Sequence, residues 1–157
     1  MKSDIKNKRE SFDSTGNTNY AHAFQAARTG NIAYLSNLDS QALQRVMRRP
    51  NDGSTLSHVA AEYGHVKVLI FLRERGWNVA GATDAFGWKP IHVASFYGQL
   101  KCVQLLATPQ FSKFISVDGV GFEDITDIDV KDDCGYAPIT CAAANGNFEV
   151  VAFLRER

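Results

Sequence analysis

The sequence predicts an all-α solenoid of about four helix-turn-helix repeats, with short hairpin turns and one inserted loop. Four glycines recur at successive spacings of 34, 34 and 48: Gly30, Gly64, Gly98 and Gly146. Three more recur at spacings of 34 and 48: Gly53, Gly87 and Gly135. A fixed period of this length is typical of a stacked array, in which each unit buries its apolar face only against its neighbours.

Each glycine of the second series opens a similar segment. The clearest copy reads Gly87-Trp-Lys-Pro-Ile-His92-Val-Ala-Ser-Phe-Tyr-Gly98. Pro90 and its counterpart Pro138 suit the first position of a helix, where the missing N–H would be unbonded in any case. The closing glycine suits a helix end, because a left-handed residue there penalises a side chain with a Cβ. The segment therefore predicts a first helix of about eight residues in each repeat.

A second, more apolar helix is predicted after each closing glycine. The segments are 66–72, 100–106 and 148–154, and their apolar residues fall on one broad face at i, i+3 and i+4. Such a face suits a helix packed between neighbours. Each repeat is thus predicted to be a pair of antiparallel helices.

The N-terminal part carries a weaker version of the same pattern. Residues 1–18 are polar, and we expect a disordered tail there. A helix is predicted from residue 20 to residue 28 and a second from 32 to 38, with Gly30 between them. Apolar residues at helical spacing before Pro50 predict one further helical turn. The array is expected to span 19–157, with repeats at about 19–50, 51–83, 84–131 and 132–157.

The longer spacing, 48 in place of 34, places an insert in the third repeat, at 107–126. Long inserts in repeat arrays emerge on one face and are often functional. This one is apolar, and we expect it to pack over the end of the third repeat with Phe111 and Phe114 inward. A structural elaboration and a partner-binding role both remain open for it.

The repeated segments resemble the ankyrin-repeat family, over residues from about 20 to the end. The family pattern is Gly-x-Thr-Pro-Leu-His-x-Ala-Ala, then x-x-Gly-His and an aliphatic helix. The best match lies in the third repeat, at Gly87, Pro90, Ile91, His92, Ala94 and Gly98. The first unit matches only at Ala26, Ala27, Gly30 and Asn31, so it resembles an N-terminal capping repeat.

The resemblance implies roles for particular residues. His58 and His92 would hydrogen-bond backbone groups between repeats. The alternatives are catalysis or metal binding, but no carboxylate or cysteine ligand shares their spacing. Family members bind partners on a concave face formed by hairpin turns and first helices. Carried over to this sequence, that face gives the candidate partner-binding residues Tyr63, Phe86, Trp88, Phe96, Tyr97, Asp133, Tyr136 and Asn145.

Six of these residues are aromatic, and aromatic side chains dominate binding hot spots. If exposed, they form an apolar patch larger than monomers usually leave uncovered. The alternative is that they stack on each other or lie under the insert. The sequence thus favours a non-enzymatic protein-interaction module that binds a protein of unknown identity.

Composition limits the other functions. The chain has 157 residues and a formal net charge of zero, which argues against non-specific binding of nucleic acid. Residues 1–79 carry 11 basic and 7 acidic side chains, whereas residues 80–157 carry 6 and 10. No apolar run approaches the ~18 residues of a membrane span. Three cysteines without a signal peptide favour a reducing compartment, cytoplasmic or nuclear.

No catalytic residue, metal site or cofactor is predicted. The cluster of Asp127, Asp129, Asp132 and Asp133 lacks the register of a calcium loop. The alternative function is that of a recognition segment in a larger protein, such as a regulated enzyme or a secreted bacterial effector acting in host cytosol. Its motivation is that the sequence stops in the last helix without a polar capping repeat. A monomer is expected, although the uncapped end could pair with a second copy.

Overall fold

The computed structural model describes residues 18–45, 47–115, 122–124 and 128–157. Its elements in chain order are α1 (Thr18–Thr29), α2 (Ile32–Asn37), α3 (Ser40–Arg45), α4 (Leu56–Glu62), α5 (Val66–Glu74), α6 (Pro90–Phe96), α7 (Leu100–Leu106), α8 (Pro109–Ser112), β1 (Lys113–Ile115), β2 (Phe122–Asp124), α9 (Pro138–Ala144) and α10 (Phe148–Arg155). The predicted all-α solenoid is confirmed. Helix α1 begins at Thr18, the last residue of the predicted tail, and residues 1–17 lie outside the described part.

The helices form two rows. The first helices of the repeats make an inner row, in which α4 packs between α1 and α6, and α6 packs between α4 and α9. The second helices make an outer row, in which α5 contacts α2 and α7, and α7 contacts α10. Small side chains lie in the inner row and are fully buried: Ala27, Ala60, Ala94 and Ala142. They let the backbones of successive first helices approach closely, which sets the stacking distance of the array.

One side chain at the start of each second helix fixes the stacking. His65, Gln99 and Asn147 precede α5, α7 and α10, and each donates to a carbonyl at the end of the first helix of the preceding repeat. The acceptors are Arg28, Glu62 and Phe96, at 2.8, 3.0 and 2.8 Å. The two partners are separated by 37, 37 and 51 residues. The last separation exceeds the others by 14, the same number by which the glycine spacing of 48 exceeds 34.

Backbone hydrogen bonds between successive hairpin tips show the same shift in sequence separation. The Ala85 N–H donates to the Asp52 carbonyl at 2.9 Å, and the Asp133 N–H donates to the Phe86 carbonyl at 3.2 Å. The sequence separations of these two pairs are 33 and 47, again a difference of 14. The insert therefore adds chain without displacing the fourth repeat from the stack.

The insert contains a structure that the sequence did not predict. Where a loop was expected, helix α8 leads into β1, which pairs antiparallel with β2; Lys113 lies opposite Asp124 and Ile115 opposite Phe122. Pairing satisfies backbone groups of a segment rich in residues that favour strands. Phe111 is buried, as predicted, with the Arg73 guanidinium 5.0 Å from its ring centroid. The predicted inward position of Phe114 concerns a side chain outside the described part.

Both repeat histidines bond backbone carbonyls; that of His58 lies in the next repeat, as the resemblance implied, and that of His92 lies just before the fourth repeat. Nε2 of His58 lies 2.8 Å from the Trp88 carbonyl, and Nε2 of His92 lies 2.9 Å from the Val130 carbonyl. On the other side of each ring, Nδ1 accepts the backbone N–H of Thr55 or Lys89, at 3.2 and 3.0 Å. A ring that accepts at Nδ1 and donates at Nε2 is neutral. Burial lowers the pKa of both histidines below 6.5.

Glycine is required at the end of α6 for two reasons. Gly98 has a φ of +72°, which penalises side chains, and a Cβ there would lie 2.7 Å from Oδ1 of Asn147. Asn147 is the side chain that donates to the Ser95 and Phe96 carbonyls. Gly146 is the equivalent residue of the fourth repeat and has a φ of +70°, but a Cβ there would have nothing within 4 Å. Comparing substitutions at Gly98 and Gly146 therefore separates the free-energy cost of backbone strain from the cost of losing the stacking contact.

We expect Gly98→Ala to destabilise the array more than Gly146→Ala. Both variants carry the strain of a left-handed alanine, about 1–2 kcal/mol. Gly98→Ala also displaces Asn147 and its hydrogen bonds, at about 1 kcal/mol each. Urea unfolding followed by circular dichroism would measure both. Equal losses in the two variants would contradict the stacking role of Asn147.

The free energy of unfolding should fall in mild acid. Because the folded-state pKa of His58 and His92 lies below the unfolded value of 6.5, the stability they contribute is complete above pH 6.5 and is lost as pH falls through the folded pKa. Urea unfolding at about pH 7.5 and pH 5.5 would measure this loss. In His92→Asn the difference between the two pH values should shrink. An identical stability of the original chain at both pH values would refute the expectation.

Candidate functional site

Four of the predicted partner-binding aromatics are exposed. The exposed fractions are 40% for Tyr63, 63% for Phe86, 37% for Tyr97 and 54% for Tyr136. Phe86 and Tyr136 lie in successive hairpin tips, whereas Tyr63 and Tyr97 are the residues that end α4 and α6. These positions arise directly from the repeat, because tips and first-helix ends recur at the same place in every unit.

Trp88 has a different role from these four. Its side chain is half-buried, and its indole Nε1–H donates to Oδ2 of Asp132 at 2.8 Å. Its ring lies 5.4 Å from that of Phe96, which is also half-buried. Trp88 therefore connects the third hairpin to the fourth, and part of its surface belongs to the packing of the array.

Asp132 is a residue that the sequence analysis missed in this role. It is buried, and its Oδ1 accepts the backbone N–H groups of Cys134 and Tyr136 at 2.9 and 2.8 Å. Asp84 does the same in the third hairpin, where it accepts from Phe86 and Trp88 at 2.9 Å. The signal was present as Asp-x-x-Gly before Gly87 and Gly135. An aspartate that bonds the backbone two and four residues ahead shapes the tip and sets the angle of the exposed aromatic.

The remaining predicted residues are spread along the face. Asp133 is exposed in the fourth tip, and its backbone N–H joins that tip to Phe86. Tyr97 lies 5.2 Å from Phe96, which links it to the Trp88 ring. Asn145 is half-buried at the end of α9 and donates to the Cys141 carbonyl at 3.5 Å. The structure thus connects the aromatics of the third repeat to one another and to the fourth tip.

A shallow depression lies at the joint between the second and third repeats. Trp88, Tyr97 and Val93 line it, together with charged side chains that the sequence analysis did not select: Arg49, Glu62 and Asp84. The Arg49 guanidinium is 3.8 Å from the Asp52 carboxylate and 4.8 Å from the Phe24 ring centroid. The depression therefore combines an aromatic wall with two carboxylates and one guanidinium.

The buried reactive side chains of the described residues are engaged in the fold. His58 and His92 use both ring nitrogens on backbone groups. Burial raises the pKa of the Cys102 thiol to about 12 and that of Cys141 to about 11, so both remain thiols at neutral pH. Asp132 is engaged by Trp88 and two backbone groups. These side chains stabilise the packing of the repeats.

Neither a metal-binding group nor a membrane span is found in the described part of the chain. In residues 18–45, 47–115, 122–124 and 128–157, no group of three or more histidine, cysteine, aspartate or glutamate side chains is placed to hold a metal ion. Within the same residues, no helix is both long and apolar enough to cross a membrane. Asp127 of the predicted aspartate cluster lies outside these ranges.

Comparison with known proteins gives matches along the array. Human Ankyrin repeat and SOCS box protein 3 is 32% identical over 98 residues, which cover 62% of this chain and 16% of that protein. Mouse Protein phosphatase 1 regulatory subunit 12A is 35% identical over 60 residues, 38% of this chain and 6% of that protein. Alpha-latrotoxin-Lt1a from Latrodectus tredecimguttatus is 28% identical over 133 residues, 83% of this chain and 8% of that protein.

The chain spans at most 16% of the length of these three relatives. A family model described as ankyrin repeats in three copies matches residues 23–118, from the first helix of the array into the insert. That range covers more than half of the 157 residues and includes the back-reaching side chains His65 and Gln99. The chain therefore belongs to the ankyrin-repeat family.

Proposed function

We propose that this chain is a non-enzymatic module that captures a partner protein on its concave aromatic face. Ankyrin repeats are protein–protein interaction modules, and the matched relatives include a regulatory subunit. Membership of the family does not identify the binding surface, and we assign it to the face formed by the hairpin tips and the ends of the first helices.

The exposure of four aromatic side chains in that register carries the proposal. Phe86 and Tyr136 protrude from tips joined by a backbone hydrogen bond, and they are 63% and 54% exposed. Burying such rings in an interface would gain roughly 25 cal/mol for each Å² of apolar surface removed from water. Tyrosine and phenylalanine also lose little rotamer freedom on binding. A partner that covers the tips gains contact area from side chains already held in place.

The hydrogen bonds of Trp88 determine which substitutions test the face. Trp88→Ala would remove the bond to Asp132 and packing against Phe96 and would therefore weaken the array. Phe86 and Tyr136 are safer positions, because more than half of each side chain is exposed. Phe148 offers a matched control: it is 81% exposed, but it begins the outer helix α10.

The double variant Phe86→Ala/Tyr136→Ala should lose partner capture while keeping its unfolding midpoint. Truncation of a hot-spot aromatic costs at least about 2 kcal/mol, roughly 30-fold in affinity. The measurement is affinity capture from native lysate, with recovered proteins quantified by mass spectrometry. Phe148→Ala should capture the same proteins as the original chain. Retention of these proteins by a folded double variant would reject the aromatic face as the binding site.

The thiols support a proposal for the cellular setting. We propose a reducing compartment, cytoplasmic or nuclear, for a monomeric module; if the chain is part of a bacterial effector, the compartment is host cytosol. The three cysteines are unpaired, with Cys102 and Cys141 buried as small apolar side chains and Cys134 exposed on the fourth tip. An exposed thiol beside a binding surface persists best where thiols stay reduced.

A second candidate function is that of a recognition segment within a larger protein, either a regulated enzyme or a secreted effector. The supporting observation is coverage, because the matched relatives are at least six times longer than the parts they share with this chain. The mass of the native gene product would decide between the two. A mature product of 17.3 kDa, the mass of this chain alone, would eliminate the larger protein.

A further inference from the structure

One buried carboxylate joins the third and fourth hairpin tips. Asp132 is 8% exposed, and its two oxygens have different partners. Oδ1 accepts the backbone N–H groups of Cys134 and Tyr136 in its own tip, at 2.9 and 2.8 Å. Oδ2 accepts the indole Nε1–H of Trp88 at 2.8 Å, from the third tip, 44 residues earlier in the chain. Because hydrogen bonds to a charged acceptor are stronger than those between neutral groups, this carboxylate connects the two tips firmly.

The preceding joint has the same aspartate without this connection. Asp84 is the equivalent residue of the third tip, 48 positions before Asp132. Both hydrogen bonds described for it, from the N–H groups of Phe86 and Trp88, use Oδ1. The second tip carries Ser54 where the third carries Trp88, so it has no indole that could reach forward. The bond between indole and carboxylate is therefore particular to the joint between the third and fourth tips.

Exposed rings of the proposed face are attached to this bond on both sides. Tyr136 is 54% exposed, and its backbone N–H is one of the two that Oδ1 of Asp132 accepts. The ring centroid of Trp88 lies 5.4 Å from that of Phe96, which lies 5.2 Å from that of Tyr97. The rings that protrude from the third and fourth repeats thus depend on one carboxylate for their relative placement.

We infer that Asp132 is a positioning residue of the partner-binding face. The inference rests on the proposed function, because it assigns to Asp132 the arrangement of the rings that a partner would contact. Asp132 is buried, so it acts by holding Trp88 and the third tip, with Phe86, against the fourth tip, with Tyr136. Side chains held in place before binding avoid the entropic cost of being ordered by the partner. Partner affinity therefore depends on a residue that the partner does not touch.

Two substitutions remove the connection from opposite sides. In Asp132→Asn, the amide oxygen can still accept the backbone N–H groups of Cys134 and Tyr136, whereas the NH2 group faces the indole N–H of Trp88, donor against donor. Trp88→Phe removes the same hydrogen bond and keeps an aromatic ring against Phe96. Each variant therefore frees the third tip from the fourth without truncating an exposed ring of the face.

Peptides selected from a random dodecapeptide display library on the folded chain serve as ligands. Those that lose binding to Phe86→Ala/Tyr136→Ala bind the face and are retained. Asp132→Asn and Trp88→Phe should each weaken them about fivefold in titration calorimetry, the cost of ordering one side chain on binding. The double variant Asp132→Asn/Trp88→Phe should lose no more than either single variant, because both remove one bond. Urea midpoints would establish folding, and Trp88→Phe decides alone if Asp132→Asn is unfolded.

The motion of the indole provides a second readout. In a Trp77→Phe background Trp88 is the sole tryptophan, and its fluorescence anisotropy decay reports how freely its ring moves. Asp132→Asn should add a fast local component to this decay. Asp84→Asn is the matched comparison, since it removes the same charge while its amide oxygen keeps both hydrogen bonds of the tip. It should add no fast component and should weaken the peptides less than Asp132→Asn does.

The outcomes separate the inference from the proposed function. Face-binding peptides that keep their affinity for folded Asp132→Asn and Trp88→Phe would overturn the inference alone. An unchanged anisotropy decay, an equal loss in Asp84→Asn, or a double variant whose loss multiplies the two single losses would overturn it as well. A selection in which no peptide depends on Phe86 and Tyr136 would overturn the proposed face and the inference with it.

Discussion

The array depends on one kind of contact, a side chain at the start of each second helix that donates to carbonyls of the preceding repeat. His65, Gln99 and Asn147 differ in chemistry, yet each provides an N–H at the same place. The carbonyls they reach lie at helix ends, where the helix itself leaves hydrogen-bonding capacity unused. Satisfying them from the next repeat makes one repeat the cap of its neighbour. Stability is therefore shared between joints rather than held within units.

The sequence separation between the bonded partners also shows how the array accommodates the insert. Partner separations of 37 residues become 51 across the third repeat, so the stack continues in register on both sides of the insert. The period of the glycines predicted this register and the helices, since periodicity reports which faces are buried. It did not predict β1 and β2, because three-residue strands leave too short a pattern to recognise.

The candidate site was partly predictable for the same reason. Position in the repeat identified Phe86, Tyr97 and Tyr136 as residues of the face, and their side chains are exposed. Position alone did not reveal that Trp88 is tied to Asp132 or that Glu62 and Asp84 share a depression with it. These relations join residues of different repeats, and they depend on how far each side chain reaches across a joint. A pattern within one repeat carries no information about that reach.

The location of the depression has a consequence for stability. It lies at a joint and is lined by Glu62 of the second repeat and Asp84 of the third, so a ligand bound there would contact both repeats. The same joint is held by Gln99 and by His58, which loses its neutral hydrogen-bonding state in acid. A ligand that binds only the stacked joint stabilises it by RT ln(1 + [L]/Kd), about 2.7 kcal/mol at a hundredfold excess over Kd. A partner that bound across this joint would be linked to repeat stacking, and weakening the joint would lower its affinity even where no contact to the partner is lost.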